Sequence, residues 1–206
     1  MKKITIIALF LTFAVTTFAQ SDASGILNKV SNNLKNIKGA TAAFSYSTKD
    51  RNNHNLGTIN GNIAIKGNKY YIKQGSNEIF CNGAKTWNFN GKDEVTVNDV
   101  DNSGGTLNPE KLLSGDFVSK DFGSKLVSSQ GSIAIIELVP TDRRKNFTKV
   151  NLYVNKTRNL ITKAIVYEKG GNIVSFNLSN INTGANLPES KFTFDPKAHP
   201  GVDVID

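Results

Sequence analysis

The spacing of apolar residues changes once along the chain, from a helical period to the two-residue period of β-strands. Between residues 21 and 39, apolar side chains recur every three or four positions, which predicts an amphipathic helix. Its apolar stripe would consist of Ile26, Leu27, Val30, Leu34 and Ile37. Such a helix has one face to bury, so it must lie on another element.

From residue 40 onward the apolar residues mostly alternate with polar ones, and short Gly- and Asn-containing turns separate the runs. Asn and Gly tolerate positive φ and favour tight hairpins. The pattern predicts a mainly β fold of about a dozen strands, an antiparallel up-and-down sheet large enough to curl into a barrel or half-barrel. The run 132–140 is apolar on both of its faces. We therefore expect something other than water to cover both sides of the sheet there.

A break in the strand pattern at 98–117 predicts a second short helix. Asn108 can cap its start, Pro109 suits its first position, and Leu112 and Leu113 form an apolar pair. One helix would thus precede the sheet and another would interrupt it. Either these helices cover the second apolar face of the sheet, or that face encloses something apolar.

The first residues have the composition of an export signal. Two lysines precede an apolar run at 4–15 that is too short to span a bilayer, and Thr17-Phe18-Ala19 resembles a cleavage site. We expect cleavage after Ala19, which would leave residues 20–206 as a single exported domain in the periplasm. The alternative is an uncleaved membrane anchor.

Composition adds little to this picture. The chain has 25 Lys and Arg against 17 Asp and Glu, a net charge of +8, but the basic residues are scattered along the sequence. No nucleic-acid-binding motif is present, so no nucleic-acid partner is expected. The excess charge fits either weak attraction to anionic membranes or solubility alone. Cys81 is the only cysteine, so no disulfide can form within the chain.

Candidate chemistry is sparse. The two histidines, His54 and His199, have no nucleophile pattern beside them, and no phosphate loop or zinc motif occurs. We therefore predict no catalytic residues, no enzyme activity and no cofactor. Residues 99–110 match the spacing of a calcium loop, with acids at Asp99, Asp101 and Glu110. The stretch follows a strand instead of a helix, so we expect a polar loop and no metal.

Several motifs, taken in order, resemble those of the outer-membrane lipoprotein carrier (LolA) family. The last of them is FTFDPKAHPGVDVID at 192–206, which resembles the family's F-x-F strand followed by Pro-x-Gly-Val-x-Val. Before it come GTINGNIAIKGNKYYI, CNGAKTWNFN, LNPEKLLSG and IAIIELVPTD, each matching a family segment in the family's order. The resemblance covers nearly all of the chain after residue 19.

The resemblance implies a function as well as a fold. Family members collect acylated lipoproteins from an inner-membrane lipoprotein-releasing ABC transporter and carry their acyl chains to the outer membrane. It implies an antiparallel unclosed (half) β-barrel of about 11 strands whose concave face is covered by helices, with an apolar cavity beneath that lid. The expected partners are lipoproteins, that transporter, and an outer-membrane receptor or the membrane surface; a monomer is expected. The alternative is a periplasmic binder or sensor of another lipid or acylated metabolite on the same fold.

The alternation of side chains, combined with this resemblance, gives a predicted set of cavity residues. The strands would contribute Ile59, Ile63, Ile65, Phe80, Trp87, Phe89, Val95, Val97, Ile133 and Ile135, and the lid Leu112, Leu113 and Phe117. Ordinary core packing is the alternative interpretation for each of them.

One position departs from the family pattern. Many members have an arginine near the end of the second strand, and that arginine is thought to hold the lid closed; Gly67 stands there in this chain. Glycine has no side chain with which to bond a lid. Lys66 or Lys69 are the available substitutes.

Overall fold

The computed structural model describes residues 18–100 and 121–205. One helix, α1 (Phe18–Asn36), precedes a sheet of twelve strands, and two 3-10 helices at Glu189–Phe192 and Pro196–Ala198 lie near the end of the chain. The strands are β1 (Ala40–Lys49), β2 (Asn55–Lys66), β3 (Lys69–Gln74), β4 (Asn77–Cys81), β5 (Lys85–Phe89), β6 (Glu94–Asp99), β7 (Phe122–Gln130), β8 (Ile133–Pro140), β9 (Phe147–Asn155), β10 (Leu160–Glu168), β11 (Ile173–Asn182) and β12 (Asp203–Ile205).

All twelve strands form one sheet, in the order β12-β6-β5-β4-β3-β2-β1-β11-β10-β9-β8-β7. Neighbours run antiparallel except β12, which lies parallel to β6. Two-residue turns join β2 to β3 and β3 to β4, with Gly67 and Gly75 at φ of 61° and 60°. Glycine adopts this left-handed geometry without a steric penalty. The strand β7 at one end does not pair with β12 at the other, so the predicted mainly β, unclosed architecture is confirmed.

The face of the sheet that contacts α1, here called the helix face, carries the larger core cluster. Ala23, Leu27 and Val30 of α1 are buried against it. Strands from β1 to β3 and from β8 to β11 contribute to the same cluster, among them Phe44, Ile63 and Ile136. The predicted stripe of the helix is thus largely the buried one, although α1 begins at Phe18 and Ile37 lies just beyond its end.

The other side of the sheet, here called the opposite face, carries a second cluster over β2 to β6. Residues 187–205, here called the C-terminal segment, cover it. Phe192 is fully buried and Phe194 nearly so. Their spacing predicts an alternating strand, but residues 189–192 form a 3-10 helix that ends at Phe192, and Phe194 lies just beyond it.

The end of that segment is tied down mainly through its backbone. The apolar residues of the tail predict a short strand or hook that packs Val202, Val204 and Ile205 onto the sheet, but only Val202 of the three joins the cluster. Val204 and Ile205 remain about half exposed in β12. A strand added at the edge of a sheet forms backbone hydrogen bonds whichever way its side chains point.

The second predicted helix, with Leu112 and Leu113, lies outside the described residues, as does nearly all of the calcium-like loop. No helix in the described part of the chain is both long and apolar enough to cross a bilayer.

Candidate functional site

An apolar pocket of about 260 Å³ opens between the C-terminal end of α1 and the sheet. Its apolar lining comes from four separate stretches of the chain and consists of Leu34, Ile37, Ala40, Ile65, Leu160 and Ile181. Lys35, Gly67, Asn68 and Thr183 complete the wall. The pocket presents mainly hydrocarbon surface, and binding there would be driven by removal of apolar surface from water.

The sheet register brings these residues together. Ala40 opens β1 opposite Ile65, near the end of β2, while Leu160 opens β10 and Ile181 lies near the end of β11. All four therefore lie at the same end of the sheet, the end that carries the β2–β3 and β9–β10 turns. Leu34 and Ile37 extend over this end because α1 runs across the helix face toward β1.

A larger and more polar groove of about 690 Å³ adjoins the apolar pocket and shares Ile37 and Thr183 with it. Its other walls are the end of α1, including Asn33 and Lys38, the Lys66 side chain and residues 184–187. The backbone of this last stretch is held against Gly39 by a hydrogen bond from Ala185 N to Gly39 O at 3.2 Å. An amphiphile with one apolar chain and a polar head would find both environments side by side.

Few polar contacts fasten α1 to the sheet. The Asn33 side-chain amide donates hydrogen bonds to the carbonyl oxygens of Arg158 and Asn159, each at 3.1 Å. Ser24 and Ser124 hydroxyls lie 3.4 Å apart at the other end of the helix. Asn33 therefore ties the end of α1 to the β9–β10 turn beside the pocket.

The predicted cavity residues divide between the two faces. On the helix face, Ile63 is buried in the core, Ile65 lines the apolar pocket and Ile59 is 46% exposed. Among the residues that the structure describes, Ile65 is the one member of the predicted set that borders this pocket.

The remaining described members lie on the opposite face. Phe80, Trp87, Phe89 and Val95 belong to the cluster beneath the C-terminal segment, and Val97 pairs with Trp87 across the strands. Ile133 and Ile135 also point to that face, because Ala134 and Ile136 between them are buried on the helix face. The described residues of the set therefore do not surround one common space. Leu112, Leu113 and Phe117 lie outside the described residues, and lipid binding by any member of the set stays a prediction.

The C-terminal segment engages the two lysines that flank Gly67. The Glu189 carboxylate accepts Lys66 Nζ at 2.8 Å and Lys69 Nζ at 2.5 Å. These hydrogen bonds lower the pKa of Glu189 from its ordinary 4.5 to about 2. Lys66 also donates to the carbonyl oxygen of Leu187 at 2.9 Å. In this structure, therefore, the lysines next to the missing arginine hold the C-terminal segment, while α1 is held by Asn33.

A second polar group ties the opposite face together. The Tyr71 hydroxyl donates to Glu78 at 2.8 Å, and Lys191 of the C-terminal segment lies 3.7 Å from the centre of the Tyr71 ring. Burial, followed by the bond to Glu78, raises the pKa of Tyr71, so the hydroxyl stays protonated. This cluster is a docking site for the chain's own segment. Within residues 18–100 and 121–205 no grouping of side chains suited to a metal ion occurs.

Of the six apolar residues that line the pocket, only Ile65 is assigned to a cavity from the sequence. Leu34 and Ile37 lie on the predicted helix stripe without being assigned to a cavity, and Leu160 and Ile181 are predicted only as strand residues. All four fit the alternation or helical period of their own elements. The signal for their convergence is long-range, since it depends on which strand ends meet beneath the end of α1.

Comparison with known proteins gives consistent matches. A sequence model described as "Outer membrane lipoprotein carrier protein LolA" matches residues 35–195. The chain is 25% identical to an outer-membrane lipoprotein carrier protein of Pseudomonas paraeruginosa over 195 residues, 92% of each chain. It is 25% identical to that of Francisella tularensis over 222 residues, covering 100% of this chain and 98% of the relative.

A solved structure of an uncharacterized conserved protein from Thermus thermophilus has the same fold, with a TM-score of 0.60. It is 12% identical in sequence, and the match covers 89% of this chain and 98% of that protein. At that identity the likeness is one of fold alone.

Proposed function

The chain belongs to the outer-membrane lipoprotein carrier (LolA) family, and from this we propose that it shelters the acyl chains of lipoproteins on their way to the outer membrane. The observation that carries the proposal is the apolar pocket beneath the end of α1, walled by Leu34, Ile65 and Leu160 among others. In this role the protein is exported to the periplasm after loss of residues 1–19. It receives cargo from an inner-membrane ABC transporter and delivers it to an outer-membrane receptor or to the membrane itself.

Carrying an acyl chain through water requires that the chain be kept away from water, and it requires no chemical reaction. Each exposed methylene costs about 0.8 kcal/mol, so one chain of about fifteen methylenes needs on the order of 12 kcal/mol of apolar contact. An apolar pocket supplies such contact without bond making or breaking. The proposal therefore assigns no catalytic residue and no cofactor to the protein.

The pocket must enlarge to accept a full acyl chain. Its volume of about 260 Å³ lies below the range of about 300–1,000 Å³ usual for ligand pockets. The wall with the fewest polar contacts is α1, so displacement of this helix from β10 is the simplest route to a larger space. In this proposal Asn33 performs the latching that the family assigns to the arginine replaced by Gly67.

Native mass spectrometry of protein recovered from a lipoprotein-producing periplasm tests the proposal. An acylated polypeptide that co-purifies and is displaced by detergent is the expected result. The chain also offers a matched pair of variants: Ile65→Glu places a charge in the pocket, whereas Ile59→Glu makes the same change on an exposed position of the same strand and face. Cargo should be lost from the first variant and retained by the second. Cargo retained by a folded Ile65→Glu protein would exclude this pocket as the acyl site.

The small volume of the closed pocket also favours a second candidate, a carrier of a singly acylated metabolite or another lipid. The same experiment separates the two, because lipid extraction would then recover a small molecule and no polypeptide.

A further inference from the structure

Basic residues are concentrated near the opening of the apolar pocket. Three of the segments that line it are the end of α1 with its linker (33–40), the β2–β3 turn (65–70) and the β9–β10 turn (155–160). These three segments contain no acidic residue. Their basic residues, here called the basic end, are Lys35, Lys38, Lys66, Lys69, Lys156 and Arg158.

Hydrogen bonds and a shared pocket lining hold these segments close together. Asn33 bonds the carbonyl oxygen of Arg158, and the Arg158 guanidinium donates to the carbonyl oxygen of Ile181 at 2.8 Å. Ile181 lines the same pocket as Lys35. The clustering of charge is therefore a property of the fold, since these residues are far apart in the sequence.

Little of this charge is neutralised by the described residues. Glu189 lies between Lys66 and Lys69 and is the carboxylate that pairs with them. Lys35 and Lys38 are exposed and have no ion-pair partner among the residues that the structure describes. The end of the sheet that carries the pocket therefore keeps an excess of positive charge among the described residues.

The opposite end of the sheet is different in its charge pattern. There the turns mix the two signs at short range, with Asp142 bonded to Arg144 at 2.9 Å and Lys92 beside Asp93 at 3.6 Å. Among the described residues, positive charge is thus more concentrated at the end where the pocket opens.

We propose that the basic end docks on an anionic phospholipid bilayer, and so brings the opening of the apolar pocket to the membrane surface. Basic residues near an anionic membrane are each attracted to it, and the attraction falls off within a Debye length. The ligand is the lipid surface itself and needs no protein receptor. That docking serves acyl-chain exchange rests on the proposed carrier function, whereas binding to the surface does not.

Flotation with vesicles that contain no lipoprotein tests the docking. Protein purified from the periplasm, with its N-terminus checked by mass spectrometry, is mixed with vesicles of phosphatidylcholine alone or of phosphatidylcholine with phosphatidylglycerol. We expect binding to the anionic vesicles only, and its loss when the salt is raised from about 50 mM to about 0.5 M, where the Debye length falls to a few ångströms. Lys35→Gln/Lys38→Gln should weaken that binding on the order of tenfold or more.

The matched control is Lys92→Gln/Arg143→Gln, which removes the same two charges from exposed positions at the other end of the sheet. It should bind nearly as well as the unaltered protein, and far-ultraviolet circular dichroism should show both variants folded. Equal binding to neutral vesicles, no binding to anionic ones, or an equal loss in the two variants would each overturn the proposal.

These outcomes are independent of the cargo experiment. Vesicle binding without any co-purified acyl chain would exclude the carrier function and support the docking surface. Cargo binding without vesicle binding would support the carrier function and exclude the docking surface.

Discussion

The side-chain amide of Asn33 reaches the carbonyl oxygen of Asn159 at 3.1 Å, across 126 positions of sequence. The same amide group also bonds Arg158 O. Two backbone carbonyls of one turn thus depend on one side chain, which projects from the C-terminal part of α1. This contact lies next to the apolar pocket. It joins the end of α1 to the turn between β9 and β10.

Asn33→Ala should loosen α1. A hydrogen bond of this kind contributes about 0.5–1.5 kcal/mol, so amide hydrogens of α1 should exchange several-fold faster in the variant. Hydrogen exchange read by mass spectrometry measures this directly. Asn32→Ala is the control, because Asn32 is the same residue type one position away and is exposed. Equal exchange in the two variants would show that Asn33 is not the latch.

Gly61→Ala should destabilise the sheet by about 1–3 kcal/mol, the usual range for overpacking. A Cβ at Gly61 would lie 2.3 Å from the carbonyl oxygen of Lys73 and 2.7 Å from the Phe44 ring. Gly57 lies on the same strand and face, but a Cβ there meets nothing within 4 Å. Gly57→Ala should therefore gain about 0.5–1 kcal/mol from reduced backbone freedom. The midpoint urea concentration of unfolding should fall for Gly61→Ala and rise for Gly57→Ala. A shift in the same direction for both variants would contradict the packing argument.

Glu189→Gln should reduce stability at neutral pH and have no effect in strong acid. The Lys66 and Lys69 bonds depress the pKa of this carboxyl in the folded protein to about 2, below its ordinary 4.5. A depressed pKa contributes stability that is fully present above about pH 4.5 and is lost as the pH falls through about 2. The Tm difference between the variant and the unaltered protein should close over that window.

Glu94→Gln serves as the control for this series, since the Glu94 carboxylate has no lysine partner among the described residues. A Tm difference for Glu189→Gln that stayed constant from neutral pH into strong acid would show that the ion pairs do not stabilise the C-terminal segment.

Phe192→Ala should detach the C-terminal segment at a cost of about 3–5 kcal/mol, as is usual for a phenylalanine lost from a core. The Phe192 side chain is fully buried against the opposite face. Ile205→Ala, in the half-exposed strand β12, should cost no more than about 0.5 kcal/mol. Denaturant midpoints compare the two. Similar values would mean that the segment is held along its length and has no single anchor.

The sheet could be predicted from the sequence because the alternation of each strand is local. In β8, alternation correctly predicts a strand that is apolar on both sides, and the structure covers Ala134 and Ile136 with the helix-face core. Alternation divides the residues of a strand into two sets on opposite faces, but it does not show which set lies on the helix face of the sheet. That is why Ile63 and Phe80, placed together in one predicted cavity, lie on different faces.

The pocket is harder to predict than the strands. Leu34 and Leu160 meet only because α1 crosses to the start of β10, and no local period encodes that crossing. The 3-10 helix at 189–192 escapes prediction for a related reason. Phe192 at its end and Phe194 just beyond it have the spacing of a strand, but the aromatic cluster beneath them and the Glu189 bonds favour a different backbone.

The parallel pairing of β12 with β6 has a consequence for the order of folding. An unpaired strand edge is a template for joining another chain. Residues 203–205 occupy part of the outer edge of β6, yet five strands, β7 to β11, separate the two in the sequence. Because the chain is made from its amino end, this edge of β6 stays unpaired until β7 to β11 and then residues 203–205 have been made. During that interval the nascent protein is exposed to pairing with a second copy of itself, and a chaperone that shields extended backbone would act then.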